Sequence, residues 1–424
     1  MAACVARSIV IPSAAATPIA ARHFAAALIY LIAASIGLIW IAPEIATGSY
    51  ATPRVAGVTH LLTLGWISLT IFGALCQLLP VALGSPIRWL SAARVTRWTF
   101  AIGAGLFAAG IGFGITALNH VGLLLLLIGI VTAAFNIGAT LRQSKKRDVT
   151  WAAIALAISF LVSTLILGAV LLHNLHSGFI AASRVRVLAA HMHIALVGWA
   201  LMMIVGVSHR LLPMFMLSQR TETVWTKRAI IALAGGVAIL VPALIGNVMS
   251  LAWLGVILLE VGIACFYWQV RQFFMARVKK KTDIGLVFAS GALISIAASA
   301  VLGPVLLVKG ATHGRLATAY IVLGLLGGFT MYVIGLYYKI VPLLAWTTRY
   351  GSRMGKEKLP AVTDMYSVRI AWVQLTAMFL GVTLIVAGIA AASPHVARCG
   401  AALFLGGVLL FAGQMVRIVY GGPE

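Results

Sequence analysis

Acidic residues are scarce in this chain: 8 Asp and Glu in 424 residues, with charged residues of both signs reaching only 9%. Soluble domains carry about 25% charged residues, so a water-soluble enzyme is excluded. Cysteine is scarce too. Cys4, Cys76, Cys265 and Cys399 form no CxxC pair, which excludes a disulfide framework and a thiolate metal centre. No CxxCH occurs, so covalently attached c-type heme is excluded as well. Long polar stretches are missing, which excludes a disordered chain. What is abundant is apolar: 62% hydrophobic residues and a mean hydropathy of +1.07. A bilayer span needs roughly 20 apolar residues, so the chain has room for about a dozen spans and little else.

Apolar runs and loop signals predict an all-α, polytopic integral membrane protein with twelve spans. They cover 24–43, 58–82, 97–117, 121–141, 151–172, 187–213, 229–247, 250–269, 284–308, 317–342, 369–390 and 398–418. The net charge of +23 lies in the loops between spans. Topology therefore explains it better than nucleic-acid binding. With the N-terminus inside, 25 of the 31 Lys and Arg fall on the inner side, alternating loop by loop. This predicts a multi-pass protein of the inner (plasma) membrane with both termini cytoplasmic. Residues 1–22 read as a cytoplasmic tail and 23–424 as one transmembrane domain.

Three spans share one pattern. Helix 2 reads GWISLTIFGALCQLLP (65–80), helix 6 GWALMMIVGVSHRLLP (198–213) and helix 10 GGFTMYVIGLYYKIVP (327–342). In each, a second Gly follows the first by eight residues, and a Pro follows seven later. The offsets between copies are 133 and 129 residues, about four helices each. The chain thus divides into three four-helix units, about 23–150, 151–283 and 284–424. The glycines allow close approach of a neighbouring backbone or a flat ligand. The Pro is expected to stop or kink the helix. Gln77, Arg210 and Lys339, three positions before each Pro, are expected to snorkel to the inner interface.

Eight of the ten histidines fall in the outer half or outer loops, opposite the basic loops; His23 and His209 are the exceptions. Ionisable residues inside a membrane are rare and usually functional, and imidazole suits iron, copper and zinc. Adding 133 to His60 gives His193; the third unit has Val322 there. His191 corresponds to Val58 and Tyr320. Residues i and i+2 point about 200° apart on a helix, so His191 and His193 cannot chelate one ion together. They can serve two sites, or one can ligate alone. His173 and His176 stand i,i+3 near the end of helix 5, on one face, as a candidate copper or zinc pair. His120, His313 and His395 read as interfacial and His209 as structural. Met192, Met202, Met203, Met214 and Met216 offer thioether sulfur for copper or ordinary packing. Glu260, in mid-span, reads either as a proton relay or as a protonated, hydrogen-bonded carboxyl.

Twelve spans in three units, with His near the outer ends of helices 2 and 6, resemble the heme–copper oxidase superfamily. The likeness is to the catalytic subunit of cytochrome oxidases and nitric oxide reductases. VTHLLTLGWISLTIFGALCQLLP (58–80) looks like its helix 2, where a His is an axial ligand of low-spin heme; the resemblance gives that role to His60. Helix 6 of the family supplies a histidine to copper, which the resemblance carries to His191 or His193. Tyr320, Ile321 and Val322 stand where the family has a His-x-His in helix 10. Residues 229–247 contain no histidine, and the W-x-H-P-E-x-Y signature is missing. The twelve-span NnrS-type proteins, heme- and copper-binding relatives linked to nitric oxide, resemble this pattern better.

The resulting expectation is a divergent relative that binds heme b, with copper as a further cofactor, near the outer face. Its role would be electron transfer or redox chemistry on a small gas such as nitric oxide or oxygen. Electrons would come from a separate donor such as a cytochrome c. His60, His191 and His193 are the candidate cofactor ligands, and His191, His193, His173 and His176 the candidate metal ligands. The alternatives are a copper-handling, transport or assembly protein on the same scaffold, or a subunit without cofactors.

Overall fold

A computed structural model describes residues 16–180, 184–220, 222–278, 281–310 and 313–421. Twelve long helices follow one another: α1 (Thr17–Trp40), α2 (Pro53–Leu83), α3 (Leu90–Phe113), α4 (Thr116–Gln143), α5 (Val149–Ser177), α6 (Arg184–Met216), α7 (Val224–Gly246), α8 (Met249–Met275), α9 (Ile284–Lys309), α10 (Gly314–Arg353), α11 (Val368–Ala390) and α12 (Pro394–Tyr420). Among the described residues no strand forms; a single isolated bridge joins Ser218 and Arg277. Eleven of the twelve are long and apolar enough to cross a membrane. The remaining one, α3, has the length, but its first two turns carry Arg94 and Arg97 and much of the rest is Gly and Ala. Hydrocarbon offers no partner to backbone amides, so only helices satisfy them here.

Several boundaries differ from those the sequence predicts. The first helix begins at Thr17, inside the expected tail, because Pro18 suits a first turn, where its missing N–H is an orphan anyway. Pro80, Pro213 and Pro342 do not end their helices, which run on to Leu83, Met216 and Tyr350. Each removes one intrahelical hydrogen bond near a helix end.

The three helices with the Gly–Pro pattern form the centre. In α2, α6 and α10, 83%, 56% and 72% of the apolar window is buried, against 17–44% in the other spans. Each widens into i→i+5 turns over eight residues: Leu61–Ser68, Ile194–Leu201 and Leu323–Thr330. These segments fall in register under the same 133- and 129-residue offsets. Each begins directly after His60, His193 or Val322. Wide turns of this kind gather at functional sites.

Buried hydroxyls tie the three inner helices together. Ser208 bonds Tyr332 at 2.6 Å, and Thr70 bonds Tyr337 at 3.0 Å. The two bonds join equivalent positions of successive units, second to third and third to first. The first and second units are joined by Trp199, whose indole N–H donates to Ser68 Oγ at 3.0 Å. At the end bearing the basic loops, each inner helix is tied to the opening helix of its own unit. Gln77 donates to Thr17 at 3.2 Å, Arg210 pairs with Asp148, and Lys339 pairs with Asp283. Asp148 and Asp283 also cap α5 and α9 by accepting from backbone N–H groups. The expected snorkelling is thereby corrected for two of the three. Gln77 is 4% exposed, and the Lys339 side chain is 13% exposed and engaged by a carboxylate.

Candidate functional site

The first and second units meet around a cavity of about 240 Å³ at the histidine-bearing end. Its walls come chiefly from α2, α5 and α6, with a further side from α10 of the third unit, and are overwhelmingly aliphatic. His60 and His191 both line it. Their ring centres are 6.4 Å apart and their planes differ by 34°. His60 is the last residue before the wide turns of α2. Its Nδ1–H donates to the Ala56 carbonyl at 2.7 Å, so Nε2 keeps its lone pair for a ligand. Phe107 of α3 meets the ring edge-on at 5.2 Å.

His191 stands on α6, packed against α5 at Gly168. A Cβ on Gly168 would lie 3.1 Å from His191 Cε1, so glycine is what admits the ring. The His191 ring is held against α5 by the Thr164 backbone carbonyl as well. Arg184 is the one charged residue lining the cavity among the described residues, and Tyr50 lines the same end.

His193 faces the next interface. Its Nδ1–H donates to the Ala189 carbonyl at 2.8 Å, repeating the bond from His60 to Ala56. Its Nε2 accepts from the Tyr320 hydroxyl at 3.2 Å. Glu260 of α8 and the Tyr320 ring both face Gly303 of α9. The equivalent position in the third unit, just before its wide turns, holds Val322, which lines the cavity along with Val58. The first interface therefore carries His with His and the second His with Tyr.

Among the candidate metal ligands, only His60 and His191 are brought face to face. His191 and His193 lie in different interfaces. His173 is exposed at the end of α5 beside Phe179, and the side chain of His176 lies outside the described residues. Among the described residues no group of three or more His, Cys, Asp or Glu could hold a metal ion. An axial heme ligand, by contrast, is a single imidazole. Met202, Met203 and Met216 are buried in the core, and Met214 is exposed. His209 bonds Thr226 at 2.9 Å and His23 bonds the Ile19 carbonyl at 2.8 Å, both structural contacts near the basic end.

Two residues were not singled out as site members from the sequence. Tyr320 was visible only as the counterpart of His191; its bond to His193 needs the fold. Arg184 counted as an ordinary outer-loop charge. No protein-family model matches the chain, and no curated protein matches it.

Proposed function

We propose that this chain is a membrane heme protein, with His60 and His191 as the two axial ligands of a heme b in the cavity between the first and second units. The observation that carries this reading is the separation of their rings. A metal–imidazole bond is about 2.0 Å, and the ring centre lies roughly 1.1 Å behind the nitrogen. Two imidazoles held by one iron would thus have centres about 6.2 Å apart. The rings of His60 and His191 are 6.4 Å apart. The aliphatic walls suit a porphyrin's apolar faces, and Arg184 at one end suits its carboxylate edge.

Bound heme would supply one-electron redox chemistry, with its potential set by axial ligands and burial. With both imidazoles engaged by the group, the chain's residues would favour electron transfer over gas chemistry. His60 is held by Ala56, which fixes its tautomer and keeps Nε2 toward the cavity. Electrons must come from a separate partner, for which a c-type cytochrome is a suitable class. With the basic loops inside, the cavity would lie near the outer face of the membrane.

The test is the absorption spectrum of the purified protein, with pyridine-hemochrome quantification. About one heme b per chain is expected, with His60→Ala and His191→Ala each losing most of it and His193→Ala retaining it. Protein purified from heme-replete cells without a Soret band would overturn the reading. So would full heme content in both His60→Ala and His191→Ala.

A further inference from the structure

The first unit departs from the other two at the basic end of the bundle. There the second and third units pair a cation with a carboxylate: Arg210 with Asp148 and Lys339 with Asp283. The first unit has Gln77 at that position and Thr17, not an acid, on its opening helix. The Gln77 Oε1 is buried with no partner. Positive charge gathers at this end all the same. Arg97 lies on the buried stripe of α3 that continues through Phe100 and Ala104, and is only 9% exposed. Its Nε is buried without a hydrogen-bond partner. No carboxylate pairs with it among the described residues. Arg22 of α1, an exposed residue, acts electrostatically on Arg97, and Arg97 on His23. A guanidinium whose Nε is buried, with a like charge near it and no carboxylate paired to it, is favoured by an anion that joins it.

The surroundings point to the kind of anion. The Arg97 guanidinium lies 4.2 Å from the centre of the Trp98 ring, which is 57% exposed. Ile102 on the same helix and Ile29 on α1 are 49% and 67% exposed. The two helices are tied higher up, where the Tyr30 hydroxyl donates to the Ala101 carbonyl at 2.5 Å. Charge at a bilayer interface and an apolar wall running inward from it match a headgroup phosphate and its acyl chains. We propose that the α1–α3 crevice at the basic end binds an anionic phospholipid, with Arg97 and Arg22 holding the phosphate and Trp98 and Ile102 lying along the chains. The site is separate from the His60–His191 cavity and does not depend on what that cavity holds.

Lipid-stripped full-length protein in neutral detergent is titrated with phosphatidylglycerol, phosphatidylcholine or inorganic phosphate. Retained lipid is read by native mass spectrometry and stability by the thermal midpoint. Phosphatidylglycerol is expected to be retained and to raise the midpoint, and phosphatidylcholine to do neither. Arg97→Gln is expected to weaken retention about fivefold or more. Arg22→Gln, at an exposed position that spares the packing, should weaken it by a smaller factor. Arg228→Gln, a basic residue at the start of α7, should leave it unchanged. Inorganic phosphate reproducing the whole effect overturns the lipid in favour of a free anion. Equal retention of the two lipids, unchanged retention in both Arg22→Gln and Arg97→Gln, or an equal loss in Arg228→Gln overturns the site.

Discussion

The Tyr320 hydroxyl donates to His193 Nε2 at 3.2 Å, with the two ring centres 6.2 Å apart and their planes at 29°. His60 and His191 stand at the equivalent places one interface earlier, 6.4 Å apart at 34°. The two ring pairs have nearly the same geometry. In one, a phenol closes the gap by a direct hydrogen bond; in the other, two imidazoles face each other across a cavity. This difference separates a self-satisfied contact from a ligand-ready one. It gives the histidines of α6 distinct duties although they lie two residues apart.

Tyr320→Phe should therefore cost stability and leave the proposed heme alone. Removing the hydroxyl leaves the part-buried His193 Nε2 without this partner, a loss of about 1 kcal/mol. A lower thermal midpoint with an unchanged Soret band is expected. Loss of the Soret band in Tyr320→Phe would move the cofactor to the second interface.

The proposed paired ligation by His60 and His191 predicts a response to carbon monoxide. With both axial positions filled, the reduced wild-type spectrum should not shift when the gas is added. His191→Gly should open one position, so that any heme it retains shows a shifted Soret band. A wild-type spectrum that shifts as fully as the variant's would mean that one of the two imidazoles is not bound.

The helices were legible because a bilayer leaves the backbone few choices, and the inner three because the Gly–Pro spacing recurs. That repeat also marks the register of the wide turns after His60, His193 and Val322. The separation of His191 from His193 followed from helix geometry alone. The partner each would find did not, since His60 is more than a hundred residues from His191 in the chain and Tyr320 is equally far from His193. Lys339 looked like a snorkelling residue because Asp283, which engages it, lies 56 residues upstream. Charge pairing across a fold leaves no local pattern, whereas periodic burial does.

That pairing sets up a contrast between two ion pairs. Lys339 and Asp283 have side chains 13% and 15% exposed, while Arg353 and Glu357 are 49% and 46% exposed. Asp283→Asn should cost about 3–5 kcal/mol, because it leaves a largely buried ammonium without its counter-charge. Glu357→Gln should change stability by about 1 kcal/mol or less. Denaturation midpoints in one detergent would compare them. Equal effects would show that the Lys339 ammonium reaches solvent or lipid headgroups without Asp283.

The glycines of the inner helices make the last prediction. A Cβ on Gly65, within the wide turns of α2, would stand 2.3 Å from Tyr30 Cγ. Tyr30 cannot easily move aside, because its hydroxyl is tied to the Ala101 carbonyl on α3. Gly65→Ala should force the α1–α2 packing apart and cost about 1–3 kcal/mol of overpacking. At Gly138, on α4, nothing lies within 4 Å of an added Cβ. Gly138→Ala should then gain up to about 1 kcal/mol from helix propensity. The two substitutions are chemically identical, so opposite shifts in thermal midpoint would isolate the packing contribution at Tyr30. A neutral Gly65→Ala would mean that the inner helices tolerate a methyl group there, and that close approach is not what glycine provides at the start of the repeat.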